Sequence, residues 1–126
     1  MNIVENDYEN DKVYVNLQHV KIVSQHGLEV ALYGGTSGKR STLGIDLNSF
    51  VEKYKINENP DFVQFTDPEN DKALFLSKHG IFAVHELGEH KVTNVVYAGY
   101  GGVYVSEPYD EVVQKLELIK GDQDQC

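Results

Sequence analysis

The chain has 126 residues, 40% hydrophobic and 25% charged, enough for one core and unlike the composition of a disordered segment. Its formal charge is −9, with 20 Asp and Glu against 11 Lys and Arg; neutralising phosphates with Lys and Arg is the main source of affinity for DNA or RNA, so this balance predicts no direct nucleic-acid partner. No apolar run approaches the roughly 18 residues of a membrane span, and MNIVENDYEND lacks the basic-then-apolar order of a signal peptide, so no membrane association and a cytoplasmic location are expected.

Residues 1–11 hold Glu5, Asp7, Glu9 and Asp11 and no basic group, which reads as a solvated acidic lead-in with structure starting near Lys12. Val13-Tyr14-Val15, Val20-Lys21-Ile22-Val23 and Leu28-Glu29-Val30-Ala31-Leu32-Tyr33 are β-branched or aromatic bursts of strand length. Gly34 to Ser41 reads as a turn, and Thr42-Leu43-Gly44-Ile45 resumes an alternating strand, which predicts a hairpin. Asp46 caps a short helix whose Leu47, Phe50, Val51 and Tyr54 share one face.

Residues 57–71 form an acidic connector around one apolar burst, Phe62-Val63-Gln64-Phe65, expected as a short strand. Four further strands follow, at Ala73–Leu76, Ile81–Val84, Thr93–Ala98 and Val103–Val105, the last two joined by Gly99-Tyr100-Gly101-Gly102 as a hairpin. Ser106 serves as N-cap of a second helix, with Tyr109, Val112, Val113, Leu116 and Ile119 on its apolar stripe. A polar tail occupies 120–126, and the single cysteine, Cys126, excludes an internal disulfide framework.

The two halves repeat one order of elements, so Lys12–Tyr54 pairs with Lys72–Leu116 in a gapped alignment that brings Val30 to Val95 and Ile45 to Val105. The fold class expected is α+β: two similar antiparallel β-meander units, at 12–56 and 72–119, each followed by a short amphipathic helix and packed as one compact domain, because neither unit could bury its sheet face alone. Val15-Asn16-Leu17-Gln18-His19-Val20 and Val103–Val113, strand residues followed by a capped helix, resemble the FlbD-like small strand-rich proteins of Gram-positive bacteria and their phages. That resemblance implies a small binding protein without an enzyme's site; two units on one chain and a long acidic connector depart from it, so a flagellar role is not carried over.

His85-Glu86-Leu87-Gly88-Glu89-His90 places two histidines and two carboxylates within six residues, but H-E-x-x-H needs its second histidine at 89, and the inverted H-x-x-E-H pattern needs its first one residue after His85. Gly88 marks a solvated turn there, so no metal is expected. The stretch ending Gly38-Lys39-Arg40 has Tyr33 where a phosphate-binding loop needs its first glycine and Arg40 where it needs Ser or Thr. No G-x-S-x-G elbow marks a nucleophile, and acidic pairs such as Asp67 with Glu69 or Asp110 with Glu111 suit a solvated connector and a helix start. The expectation is a protein that is no enzyme and carries no cofactor.

Eight tyrosines and no tryptophan point to tyrosine-based contact, since tyrosine offers area with a polar tip. Tyr97, Tyr100 and Tyr104 surround the second glycine turn, while Lys39 and Arg40 are the adjacent basic pair; these five are the candidate binding residues. Two readings follow. One is a non-catalytic acidic binding protein, a phage-encoded inhibitor or adaptor docking on a basic surface of a protein partner. The other is a pocket for a small nucleotide-like anion between the units or between protomers, with homo-oligomers formed through sheet edges.

Overall fold

In the computed structural model, β-branched and aromatic bursts become, among the described residues, ten strands and two short helices. The structure describes residues 3–8, 11–34, 39–88, 92–98 and 101–117, with backbone alone at 3–8, 11–15 and 39. β1 (Ile3–Tyr8) pairs antiparallel with β2 (Asp11–Asn16) as a separate hairpin. The acidic lead-in is therefore strand backbone rather than solvated coil, because ladder bonds are made by main-chain groups whatever charge the side chains carry.

A 3-10 turn at Leu17–His19 leads into β3 (Val20–His26), β4 (Glu29–Gly34) and β5 (Lys39–Thr42), an antiparallel meander. α1 (Leu47–Lys53) follows, capped as expected by Asp46, which accepts from the Ser49 amide at 3.2 Å and the Ser49 hydroxyl at 2.7 Å. After a 3-10 turn at Ile56–Glu58, β6 (Phe62–Thr66) and β7 (Ala73–Ser77) pair with each other, and β7 also pairs with β3. The result is one five-stranded sheet in the order β5-β4-β3-β7-β6, with the connector's strand at its edge.

β8 (Ile81–Leu87), β9 (Val92–Tyr97) and β10 (Gly101–Val105) form a second meander in its own three-stranded sheet, followed by α2 (Tyr109–Lys115). The residue at the N-cap of α2 is Pro108, with extended φ −68° and ψ 159°, and not Ser106. Proline lacks the amide donor that a first turn leaves unpaired, so it enters a helix without loss. Ser106 instead gives its amide to the Thr66 carbonyl at 2.9 Å. The stripe Val112, Val113 and Leu116 is buried; Ile119 lies outside the described residues.

Strand alternation sends side chains to both faces of the five-stranded sheet. Val20, Val23, Val30, Leu32, Phe62 and Phe75 pack under Leu47, Phe50, Val51 and Ile56. Ile22, Phe65, Leu74 and Leu76 point the other way, against Val95, Tyr97, Val105, Val112 and Leu116. This is a compact α+β arrangement in which one central sheet is covered on both sides. Each helix follows a three-stranded meander, but the opening strands of the two expected units differ: β2 pairs with β1, whereas β7 lies inside the central sheet. Among the described residues no helix is long and apolar enough to cross a membrane.

Candidate functional site

The strand directions sort the charges of the described side chains into two poles. One pole collects the starts of β3, β5, β6, β8 and β10 with the ends of β4, β7 and β9. A short chain of contacts across the two sheets closes it. The Tyr97 hydroxyl donates to the Ser77 carbonyl at 2.6 Å, the Ala98 amide to the Gly80 carbonyl at 2.9 Å, and the Lys78 amide to the Asp61 carbonyl at 2.9 Å. Both helices run towards this pole and end there on Lys53 and Lys115.

Lys21, Lys78, His19 and His79 all stand at this pole, with Lys53, Lys55 and Lys115 at the helix ends and Lys39 opposite Gly34 in the ladder. Its acidic groups among the described side chains are Glu52, Glu58, Asp61 and Glu117; Asp61 meets the His79 ring nitrogen at 3.0 Å and Glu117 meets Lys78 at 3.2 Å. Among the described side chains the opposite pole carries Glu29, Asp46, Asp67, Glu69, Asp71, Glu86, Glu107, Asp110 and Glu111, against the ammonium of Lys72 and the guanidinium of Arg40. Strands of four to seven residues at about 3.4 Å each separate the poles by roughly 14–24 Å. That is roughly two to three times the Debye length of about 8 Å at physiological salt, so the acidic pole is largely screened from what approaches the basic one.

Two glycines shape the basic pole. A side chain on Gly34 would collide with the His19 carbonyl, which closes against the end of β4. Gly80, at φ +82°, turns the chain from β7 into β8 and leaves room for the Lys21 ammonium, which lies 5.5 Å from the centre of the Tyr97 ring. Lys115 is drawn in similarly, 4.6 Å from the Phe65 ring centre and donating to the Gln64 carbonyl.

The residues expected to bind are not gathered into one site. The Arg40 guanidinium is exposed and donates to His26 Nε2 at 3.1 Å, away from the basic pole. Tyr97 is a core residue, 1% exposed, while Tyr104 is 53% exposed on the outer side of β10. Tyr100 and the tip of the first hairpin at 35–38 lie outside the described residues, as does the side chain of Lys39. Among the described residues no group of three or more His, Cys, Asp or Glu is placed to hold a metal; His90 is outside them. Two surface clefts, of about 460 Å³ beside Lys55 and Glu58 and about 280 Å³ beside Glu86 and Tyr109, include none of the five candidates. Lys21, Lys53, Lys55, Lys78 and Lys115 are absent from those expectations because each is isolated in sequence; only the strand register brings them together.

No family model and no curated protein matches the chain. Among solved structures it is similar to a LytTr DNA-binding domain of a response regulator from Bacillus cereus, with a TM-score of 0.65, 13% identity, and coverage of 94% of this chain and 99% of that one. At that identity the likeness is one of fold. It corrects the resemblance to FlbD-like proteins: the residues that carried that resemblance are strand and cap residues, which many meanders share. The phage-encoded inhibitor or adaptor, the basic protein surface as partner and the nucleotide-like ligand fall with it. The exclusion of nucleic acid is also overturned, since a DNA-binding domain shares this fold; total charge is a sum, and the poles show how unevenly it is distributed.

Proposed function

We propose that the chain is a non-catalytic DNA-binding domain that meets the phosphate backbone with its basic strand pole. The observation that carries this reading is the segregation of charge along the strands, in a fold shared with a LytTr DNA-binding domain. Lysines at the ends of several strands and both helices offer separated point charges to successive phosphates, while the acidic pole faces away at about two to three Debye lengths. Such binding is weak and falls with salt, because each phosphate contact releases counterions and only a few cations are available. The reading keeps the cytoplasmic location expected from the sequence.

Fluorescence anisotropy of a labelled DNA duplex, titrated at several salt concentrations, tests it. Binding strongest at low salt is expected, with Lys55→Gln and Lys78→Gln each lowering the slope of log K against log salt by about 1. Glu86→Gln, at the acidic pole, leaves that slope unchanged. Absence of binding at low salt, or equal slopes in all three variants, refutes the proposal.

The chain also reads as two copies of one meander-and-helix unit, with β3-β4-β5-α1 matching β8-β9-β10-α2. The ladder register supports this. Each first strand carries a bulge near its start, between Val20 and Ile22 and between Ile81 and Ala83, and the next pairs are Ile22 with Tyr33 and Ala83 with Val96. The register shifts the alignment read from the sequence: Val30 falls on Thr93 rather than Val95, and Leu43 rather than Ile45 on Val105, while Phe50 still matches Val112.

A further inference from the structure

The two bulges stand at the basic pole, and a bulge re-aims the side chain it adds. In β3 the added residue is Lys21, whose ammonium folds back over the Tyr97 ring. In β8 it is Phe82, which turns away from the core and is 77% exposed. A single exposed apolar residue needs no explanation. Phe82, however, lies two residues beyond Gly80 and the basic turn that contains Lys78 and His79, on the start of an edge strand. Beside it the outer face of the sheet has the rows Ala83-Val96-Gly102 and His85-Asn94-Tyr104, with no carboxylate among them.

We propose that Phe82 packs on the face of a DNA base, as an apolar wedge next to the lysines that hold the backbone; this rests on the DNA-binding reading. The lysines supply attraction that does not depend on sequence and weakens with salt. An aromatic ring on an unstacked base supplies a contact that salt leaves largely intact. A turn bearing Lys78 and His79, whose carboxylate partners are Glu117 and Asp61, is followed directly by an exposed ring with no carboxylate on the neighbouring sheet rows, and provides both within one stretch of chain.

The test compares the wild type with Phe82→Ala, Phe82→Trp and Leu28→Ala, the last removing an 88% exposed side chain at the opposite pole. Anisotropy is followed on a duplex and on the matching single strand, and 2-aminopurine in the duplex reports unstacking. Phe82→Ala is expected to weaken binding about tenfold at every salt concentration with the salt slope unchanged. Phe82→Trp retains affinity, and Leu28→Ala binds as the wild type does. A 2-aminopurine rise that Phe82→Ala abolishes assigns the base to a duplex step; a loss confined to the single strand assigns it to an unpaired base. Equal affinity of Phe82→Ala and the wild type, with equal melting temperatures, overturns the inference and leaves the DNA-binding reading standing. A concentration-dependent mass increase that Phe82→Ala abolishes while DNA affinity is unchanged also overturns it, in favour of a second copy on this face. A wild type that binds no DNA at low salt overturns both.

Discussion

The hydroxyl of Tyr97, at the end of β9, donates to the carbonyl of Ser77, at the end of β7, across 2.6 Å of buried space. This bond joins the three-stranded sheet to the central one at the pole where the lysines gather, and the Tyr97 ring also carries the Lys21 ammonium. Replacing Tyr97 with Phe keeps the ring and removes the donor. The expected cost is about 1–2 kcal/mol, since a buried carbonyl loses a partner. A fall in melting temperature of at least about 4 °C, measured by circular dichroism, is the expected result; an unchanged melting temperature would show that this bond contributes nothing to holding the two sheets together.

Glu107 performs the corresponding task at the acidic pole. Its carboxylate accepts from the Thr66 amide at 3.0 Å and the Thr66 hydroxyl at 2.9 Å, and its own carbonyl accepts from the Thr93 hydroxyl at 2.7 Å. The edge of the central sheet, β9 and the approach to α2 thus meet at one residue. Glu107→Ala is expected to destabilise the protein by about 2 kcal/mol, the scale of hydrogen bonds to a charged acceptor. Chemical denaturation checks this, and Thr66→Val combined with Glu107→Ala should cost less than the sum of the two separately.

Asp46 makes stability depend on acid. The Ser49 hydroxyl, then the Ser49 amide, hold its carboxyl below the ordinary value of 3.8. A carboxyl whose folded-state pKa is depressed stabilises the fold above its unfolded pKa, and that contribution disappears as pH falls through the folded value. Asp46→Asn retains a capping oxygen but no titrating group, so its stability should fall less steeply than the wild type's between about pH 5 and about pH 2. Urea denaturation across that range gives the comparison, and parallel curves would exclude the cap as the source.

Gly34 and Gly88 separate close packing from open space. A Cβ on Gly34 meets the His19 carbonyl, whereas one on Gly88 meets nothing within 4 Å. Gly34→Ala is therefore expected to cost about 1–3 kcal/mol by forcing the Leu17–His19 turn away from β4, while Gly88→Ala stays within about 0.5 kcal/mol of the wild type. Thermal melts of the two variants decide it, and similar shifts would mean that the turn yields without cost.

The sequence by itself determined the local elements. Alternating β-branched residues in β3, β4, β9 and β10, the Asp46 cap and the stripe Val112, Val113 and Leu116 all depend on neighbours within a few positions along the chain. Tertiary structure alone decided that β7 lies beside β3, that Tyr97 is core while Phe82 is exposed, and that an acidic chain presents a basic pole. Those facts depend on which distant strand ends are brought together by antiparallel register, and on one-residue bulges that change the direction of a side chain. Lys21 and Lys78 are 57 positions apart in the chain, yet the pairing of Ile22 with Leu76 between β3 and β7 places them at the same end of the central sheet; no composition or periodicity records that proximity.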